Sequence, residues 1–295
     1  MDFEPVEDHE ALRKGIRELV ARFDDDYWSA CDAEHRFPDE FYATLADGGW
    51  LGVAIPEEYG GAGLGITEAA LLLQEIATSG AAMNGCSAIH LTLFGMNPVV
   101  KHGSPELRSL LLPRVAAGDL HVSFGVTEPD AGTDTSRITT RARRDGDDYV
   151  VDGRKVWITK AQQAEYLLLL ARTTPLDQCA KRTDGMTLFM APIDRAAVDI
   201  REIPKMGRNA VNSNELFIDG LRVPASCRIG EEGQGFRYLL DGLNPERILL
   251  AHEAVGIGRA AVARAVAYAN QRVVFDRAIG RNQGVAFPLA EATMQ

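Results

Sequence analysis

A carboxylate and a guanidinium stand side by side at Glu246-Arg247, directly after Asn244-Pro245. A second group of candidates lies earlier, where the apolar run 121–126 gives way to Thr127-Glu128-Pro129-Asp130-Ala131-Gly132-Thr133-Asp134. A strand broken by Pro, Asp and Gly leaves backbone N–H groups and threonine hydroxyls without ladder partners, and such donors can serve a ligand. A third is Trp157-Ile158-Thr159, where an indole can face a flat ring beside a further hydroxyl.

Plainer roles suit the same residues. Thr127, Asp130 and Asp134 can close a turn upon themselves. Asn244 can cap a helix with Pro245 at its first position, which puts Glu246 in a first turn where negative charge is favoured. The six histidines, His9, His35, His90, His102, His121 and His252, show no metal-ligand spacing, and no Gly-x-Ser-x-Gly elbow occurs, so metal and serine-hydrolase chemistry find no support. Gly61-Ala62-Gly63-Leu64-Gly65 imitates a dinucleotide fingerprint but follows Pro56-Glu57-Glu58-Tyr59-Gly60 instead of a strand. Gly256-Ile257-Gly258 sits in an apolar helical pattern, where small residues permit close packing.

The elements that must position these groups fall into three stretches. Leu12, Ile16, Leu19, Val20 and Phe23 recur at helical spacing, and further helices are expected at 39–46, 67–78 and 105–117. From His121 to Ile229 the pattern turns to short β-rich runs, at 166–170, 186–190 and 215–218, the last ending at Asp219-Gly220. Asp152-Gly153, between 149–151 and 155–157, predicts a hairpin that brings Trp157 to the end of its strand. Beyond Gly233-Gln234-Gly235 the helical period returns through Ile248, Leu249, Ala251, Val255, Ile257 and Ala260, with a second helix expected near Phe287.

Composition sets the outer limits. A chain of 295 residues, 46% hydrophobic, can bury a large core and suggests two or three domains. The net charge of -11 argues against a broad nucleic-acid or anionic-membrane surface, and no apolar run reaches spanning length. Cys31, Cys86, Cys179 and Cys227 are scattered without paired spacing, and the acidic start lacks the order of a signal peptide, so the expected location is cytoplasmic.

Read together, Val126-Thr127-Glu128-Pro129-Asp130-Ala131-Gly132-Thr133-Asp134 and Gly153-Arg154-Lys155-Val156-Trp157-Ile158-Thr159 resemble the acyl-CoA dehydrogenase family of flavoenzymes. The match continues in order through Lys205-Met206-Gly207, Asn214-Glu215-Leu216-Phe217, Val223-Pro224, Asn244-Pro245-Glu246-Arg247, Arg272-Val273-Val274-Phe275 and Gln283. With the patterning, this implies an α+β multidomain chain: an all-α domain at 1–120, an antiparallel β-barrel or sheet domain at 121–232, and at 233–295 the start of a C-terminal α-helical bundle. That bundle is expected to be incomplete, in a fragment or a shortened member, since the family's has four helices.

The resemblance also implies FAD-dependent α,β-dehydrogenation of an acyl-CoA thioester to the trans-2-enoyl-CoA. A glutamate takes the α-proton while the flavin accepts hydride. Glu246 matches the base position of the isovaleryl and long-chain members. Phe124, Val126, Thr127, Thr133, Trp157, Ile158 and Thr159 match positions along the FAD, and Thr133, Asn244 and Arg247 positions near the substrate. Arg272, Phe275 and Gln283 match positions that reach the FAD of a neighbouring subunit, although Asp276 replaces the family's usual glycine and sets a negative charge there. An electron-transferring flavoprotein as acceptor and a homo-oligomer, tetramer or dimer, are the partners implied. A same-fold flavin oxidase or monooxygenase, and a non-catalytic shortened chain, are the alternatives.

Overall fold

A computed structural model describes residues 7–295. Its first part is helical: α1 (Glu7–Val20), α2 (Asp25–Ala33), α3 (Asp39–Asp47), α4 (Ile66–Ile76), α5 (Ala82–Gly95), α6 (Asn97–His102) and α7 (Pro105–Ala116). The helix starts are chemically marked. Asp24 accepts from the Tyr27 amide ahead of α2, and Ser104 from the Leu107 amide ahead of α7, whose first residue is proline. α5 lacks a polar face. From Gly85 to Gly95 every residue is buried, so it carries no amphipathic period and the periodicity reading did not register it.

A sheet follows: β1 (Val122–Gly125), β2 (Arg141–Asp145), β3 (Asp148–Thr159), β4 (Tyr166–Arg172), β5 (Met186–Pro192), β6 (Val198–Glu202), β7 (Ser213–Pro224) and β8 (Arg228–Ile229). The order is β6-β7-β3-β2-β4-β5-β8, with β1 beside β4. The expectation of a purely antiparallel sheet needs one amendment, because β1 runs parallel to β4 and a single β2–β4 pair is also parallel. The chain can reach β4 from β1 that way because β2 and β3 intervene as a crossover.

Both Asp-Gly turns were misplaced by the sequence reading. β3 passes straight through Asp152-Gly153, and β7 through Asp219-Gly220. The two dipeptides face each other across a register shift, with Val151 opposite Leu221 and Gly153 opposite Ile218. The Gly220 amide donates to Asp152 Oδ1 at 3.0 Å. A side chain at Gly153 would meet Thr140 Oγ1 at 2.3 Å, so glycine here admits a neighbour instead of reversing the chain. The reversal before β3 lies at 145–148, where Gly146 has φ +63.

α8 (Gly235–Gln271) follows, a helix of 37 residues, then β9 (Val273–Val274), β10 (Arg277–Ala278) and α9 (Gln283–Met294), which starts ahead of the expected Phe287. Pro245 lies inside α8, so the idea that Asn244 caps a helix starting at Pro245 is wrong. A proline removes one amide and frees the carbonyl four residues before it. That carbonyl, of Asp241, is taken by the Asn97 side chain from α6. α8 packs on α4 at Gly256, where a Cβ would meet the Gln74 carbonyl oxygen at 2.5 Å. Among the described residues no helix is long and apolar enough to cross a membrane.

Candidate active site

β1 carries Phe124 and leads through Val126 into the Thr127–Asp134 segment, which folds back by mutual hydrogen bonds between Glu128 and Ala131, both 3.1 Å. What anchors it is a buried ion pair. Glu128 accepts from Lys155 Nζ at 2.9 Å, from the Thr139 amide and hydroxyl at 2.7 and 2.8 Å, and from the Thr140 amide at 2.9 Å. Lys155 also donates to the carbonyls of Val126 at 3.0 Å and Leu170 at 2.8 Å. Burial works against both charges. It would raise the Glu128 carboxyl, but the Lys155 charge and the hydrogen bonds from Thr140, Thr139 and Lys155 together outweigh it and hold the group at about 2. Burial likewise brings Lys155 down to about 8, with Glu128 opposing. The pair joins the end of β1 to β3 and β4.

Two residues beyond Lys155, Trp157 sits on a bulge of β3, between Lys155 and Ile158 in the β7 register. Its φ is +63 and it is 59% exposed. A bulky residue in the left-handed region is strained, and such strain persists where surrounding contacts impose it. The Val156 amide bonds the Thr127 carbonyl at 3.0 Å, so the two sequence motifs are stitched together. Beyond the indole, Ile158 is held through its carbonyl by Asn214 Nδ2 at 2.9 Å, and Thr159 by Ser123 Oγ at 2.6 Å.

These residues form one wall of a cavity of about 460 Å³, within the usual range for small-molecule sites. Phe124, Val126, Thr127, Thr133, Trp157, Ile158 and Thr159 all line it. α8 supplies Glu246 and Arg247 to the same space, and α5 supplies Ser87 and His90. Burial raises the Glu246 carboxyl above its ordinary 4.5, against the lowering charges of His90 and Arg247. A bulged indole beside threonine hydroxyls suits a flat heteroaromatic ring, and a carboxylate with a raised pKa in the same cavity suits proton abstraction. The turn reading survives only in part: Asp134 accepts from Ser136 Oγ at 2.5 Å, whereas Thr127 faces the cavity.

Four candidates lie outside that space. Asn244 accepts from Arg247 Nη1 at 2.6 Å but does not line the cavity. Arg272 ends α8, Phe275 is 94% exposed with φ +50, and Gln283 begins α9. Sequence reasoning had left out Ser87, Arg208 and Glu253, and had weighed His90 only as a metal ligand. Arg208 donates to Ser87 Oγ at 3.1 Å and to Ser213 Oγ at 2.9 Å, and burial lowers its pKa. The available signals were a lone histidine within the largely apolar α5 and a second glutamate two helical turns after Glu246.

Three family models match in order: the acyl-CoA dehydrogenase N-terminal domain over residues 6–119, middle domain over 123–221 and C-terminal domain over 233–295. The acyl-CoA dehydrogenase FadE12 of Mycobacterium tuberculosis is 36% identical over 292 residues, covering 98% of this chain and 73% of the relative. The butyryl-CoA dehydrogenase of Megasphaera elsdenii superimposes with a TM-score of 0.90 at 28% identity, over 100% of this chain and 77% of that one. The prolyl acyl carrier protein oxidase AnaB gives 0.91 at 27% identity, over 99% and 76%.

Proposed function

The chain belongs to the acyl-CoA dehydrogenase family, and from that premise we propose that it oxidises an acyl-CoA thioester between Cα and Cβ to the trans-2-enoyl-CoA. The observation that carries this reading is the meeting of Glu246 with Trp157 and Thr127 around one cavity. FAD is the cofactor. The bulged indole, with Thr127, Thr133, Ile158 and Thr159 beside it, offers a face and hydroxyls that fit its ring. When bound, it supplies the hydride acceptor for the β-carbon.

The chain's own residues supply the rest. Glu246 takes the α-proton, and the desolvation that raises its pKa makes it a stronger base than an exposed carboxylate. Phe124, Leu243 and Leu250 give the cavity an apolar lining beside that carboxylate. Thr133 and Arg247 hold the thioester's polar arm, with Asn244 steadying Arg247. Arg272, Phe275 and Gln283 serve a second subunit's cofactor in a homo-oligomer, and an electron-transferring flavoprotein takes the electrons away.

The test is anaerobic. FAD-loaded protein is titrated with a panel of acyl-CoA thioesters while the flavin absorbance is followed. Bleaching by wild type and its loss, by at least a thousandfold in rate, in Glu246→Gln is the expected outcome. Bleaching that survives the substitution removes Glu246 as the base. The likeness to AnaB favours one competing reading, a same-fold oxidase acting on a carrier-tethered acyl group. Stoichiometric oxygen consumption with such a substrate, and none with acyl-CoA, would select it.

A further inference from the structure

Glu246 does not stand alone on its wall of the cavity. Glu253 lies two turns further along α8, and His90 reaches between them from α5. His90 Nδ1 is 2.6 Å from Glu253 Oε1, while Nε2 is 4.0 Å from Glu246 Oε1. Glu253 is fully buried, and its Oε2 has no hydrogen-bond partner. An apolar side chain would pack against α4 and α5 without the penalty of an orphaned acceptor. Among the described residues no group of three His, Cys, Asp or Glu side chains could hold a metal ion. The other charges lining this space are Arg247, held by Asn244, and Arg208, held by Ser87 and Ser213.

An imidazole held by a buried carboxylate on one nitrogen and facing a proton donor with the other is arranged to take up a proton and be stabilised as imidazolium. The Glu246 side chain is 25% exposed, and Leu243, Leu250, Phe94 and Phe124 line the same cavity, so a substrate that fills the cavity covers the base and leaves His90 as the group its proton can reach. We propose that His90, oriented by Glu253, is the outlet through which Glu246 discharges the proton it abstracts, His90 acting as a positioning residue and proton carrier for that base. The inference rests on Glu246 being the base. In the first step the substrate's Cα–H bond breaks and an O–H bond forms on Glu246. That O–H then breaks as an N–H forms at His90 Nε2, while the Nδ1 proton stays directed at Glu253. The Cα–H electron pair stays with the substrate and becomes its new Cα–Cβ double bond, the imidazolium later returns its proton to solvent, and the relay beyond Glu246 moves protons only. A small side-chain rotation closes the 4.0 Å gap.

The experiment uses FAD-loaded protein mixed anaerobically, in deuterated buffer, with the acyl-CoA that bleaches it best. Two rates are read: loss of flavin absorbance, and deuterium appearing at Cα of the recovered substrate. Wild type washes deuterium in because Glu246 exchanges through His90 before the hydride returns. In His90→Gln the ratio of wash-in to bleaching is expected to fall at least fivefold, and any smaller change overturns the proposal. Glu253→Gln keeps the shape of the site and should lower the same ratio, which carries the test if His90→Gln fails to fold. A merely structural role would slow both processes together and leave the ratio alone. Wild-type bleaching without wash-in also overturns the outlet, whereas bleaching that persists in Glu246→Gln overturns the base assignment and the outlet with it.

Discussion

Single residues here carry conflicting demands, and Trp157 shows it best. Its left-handed backbone costs about 1–3 kcal/mol in the free protein, yet its ring is mostly exposed and so returns little burial. Trp157→Gly is therefore expected to leave the cofactor-free protein as stable or up to about 1 kcal/mol more stable, by thermal unfolding. FAD affinity, measured by fluorescence titration, should fall by roughly tenfold, the worth of a lost ring stack. A Trp157→Gly protein that lost stability and kept its FAD affinity would contradict both halves. Glu246 has a second signature. A base works only when ionised, so kcat/KM must fall as pH drops through its pKa, and burial places that fall above the ordinary 4.5. Arg247 lowers the Glu246 pKa, so in Arg247→Leu the acid limb of the pH profile should move to higher pH, whatever happens to its height.

At the scale of elements, the Glu128–Lys155 pair is what makes two separated motifs into one cradle. Removing one member leaves the other charged in a dry site. Lys155→Met is expected to destabilise by about 3–5 kcal/mol, read by denaturant unfolding, and Glu128→Gln combined with Lys155→Met should recover part of that loss. Equal losses in the single and double variants would show that the pair does not act as a unit. The same scale explains Pro245. The Asn97 side chain satisfies the carbonyl that proline abandons, so α8 continues unbroken and delivers Glu246, Arg247 and Glu253 to one cavity.

For the whole molecule, apolar side chains stand exposed along α8 and beyond it: Val255, Val266, Tyr268, Val273, Phe275 and Phe287. Arg272, Phe275 and Gln283 stand apart from the cavity, and the proposed homo-oligomer would set them against a second subunit's cofactor. Phe275→Ser is therefore expected to lower FAD retained per chain by several-fold after gel filtration, although it touches nothing in the chain's own cavity. Unchanged retention across a hundredfold dilution series would sink that role. The chain spans about three quarters of the length of the relatives it matches.

The sequence by itself determined the succession of helical, strand and helical parts, because periods of 3.6 and 2 are local properties of side-chain order. It also marked residues on two sides of the cavity, Thr127 and Trp157 by residue type and neighbours and Glu246 by its resemblance to a family position. Its Asp-Gly signals misled, because a turn dipeptide and a bulge share the same local preferences and only the strand opposite chooses between them. α5 was silent, as a helix buried all round has no period to read. Tertiary structure alone decided that His90, far from α8 in sequence, lies between Glu246 and Glu253, and that Asn97 takes the Asp241 carbonyl. Those contacts depend on how α5 and α6 meet α8, which the order of residues along any one helix does not fix.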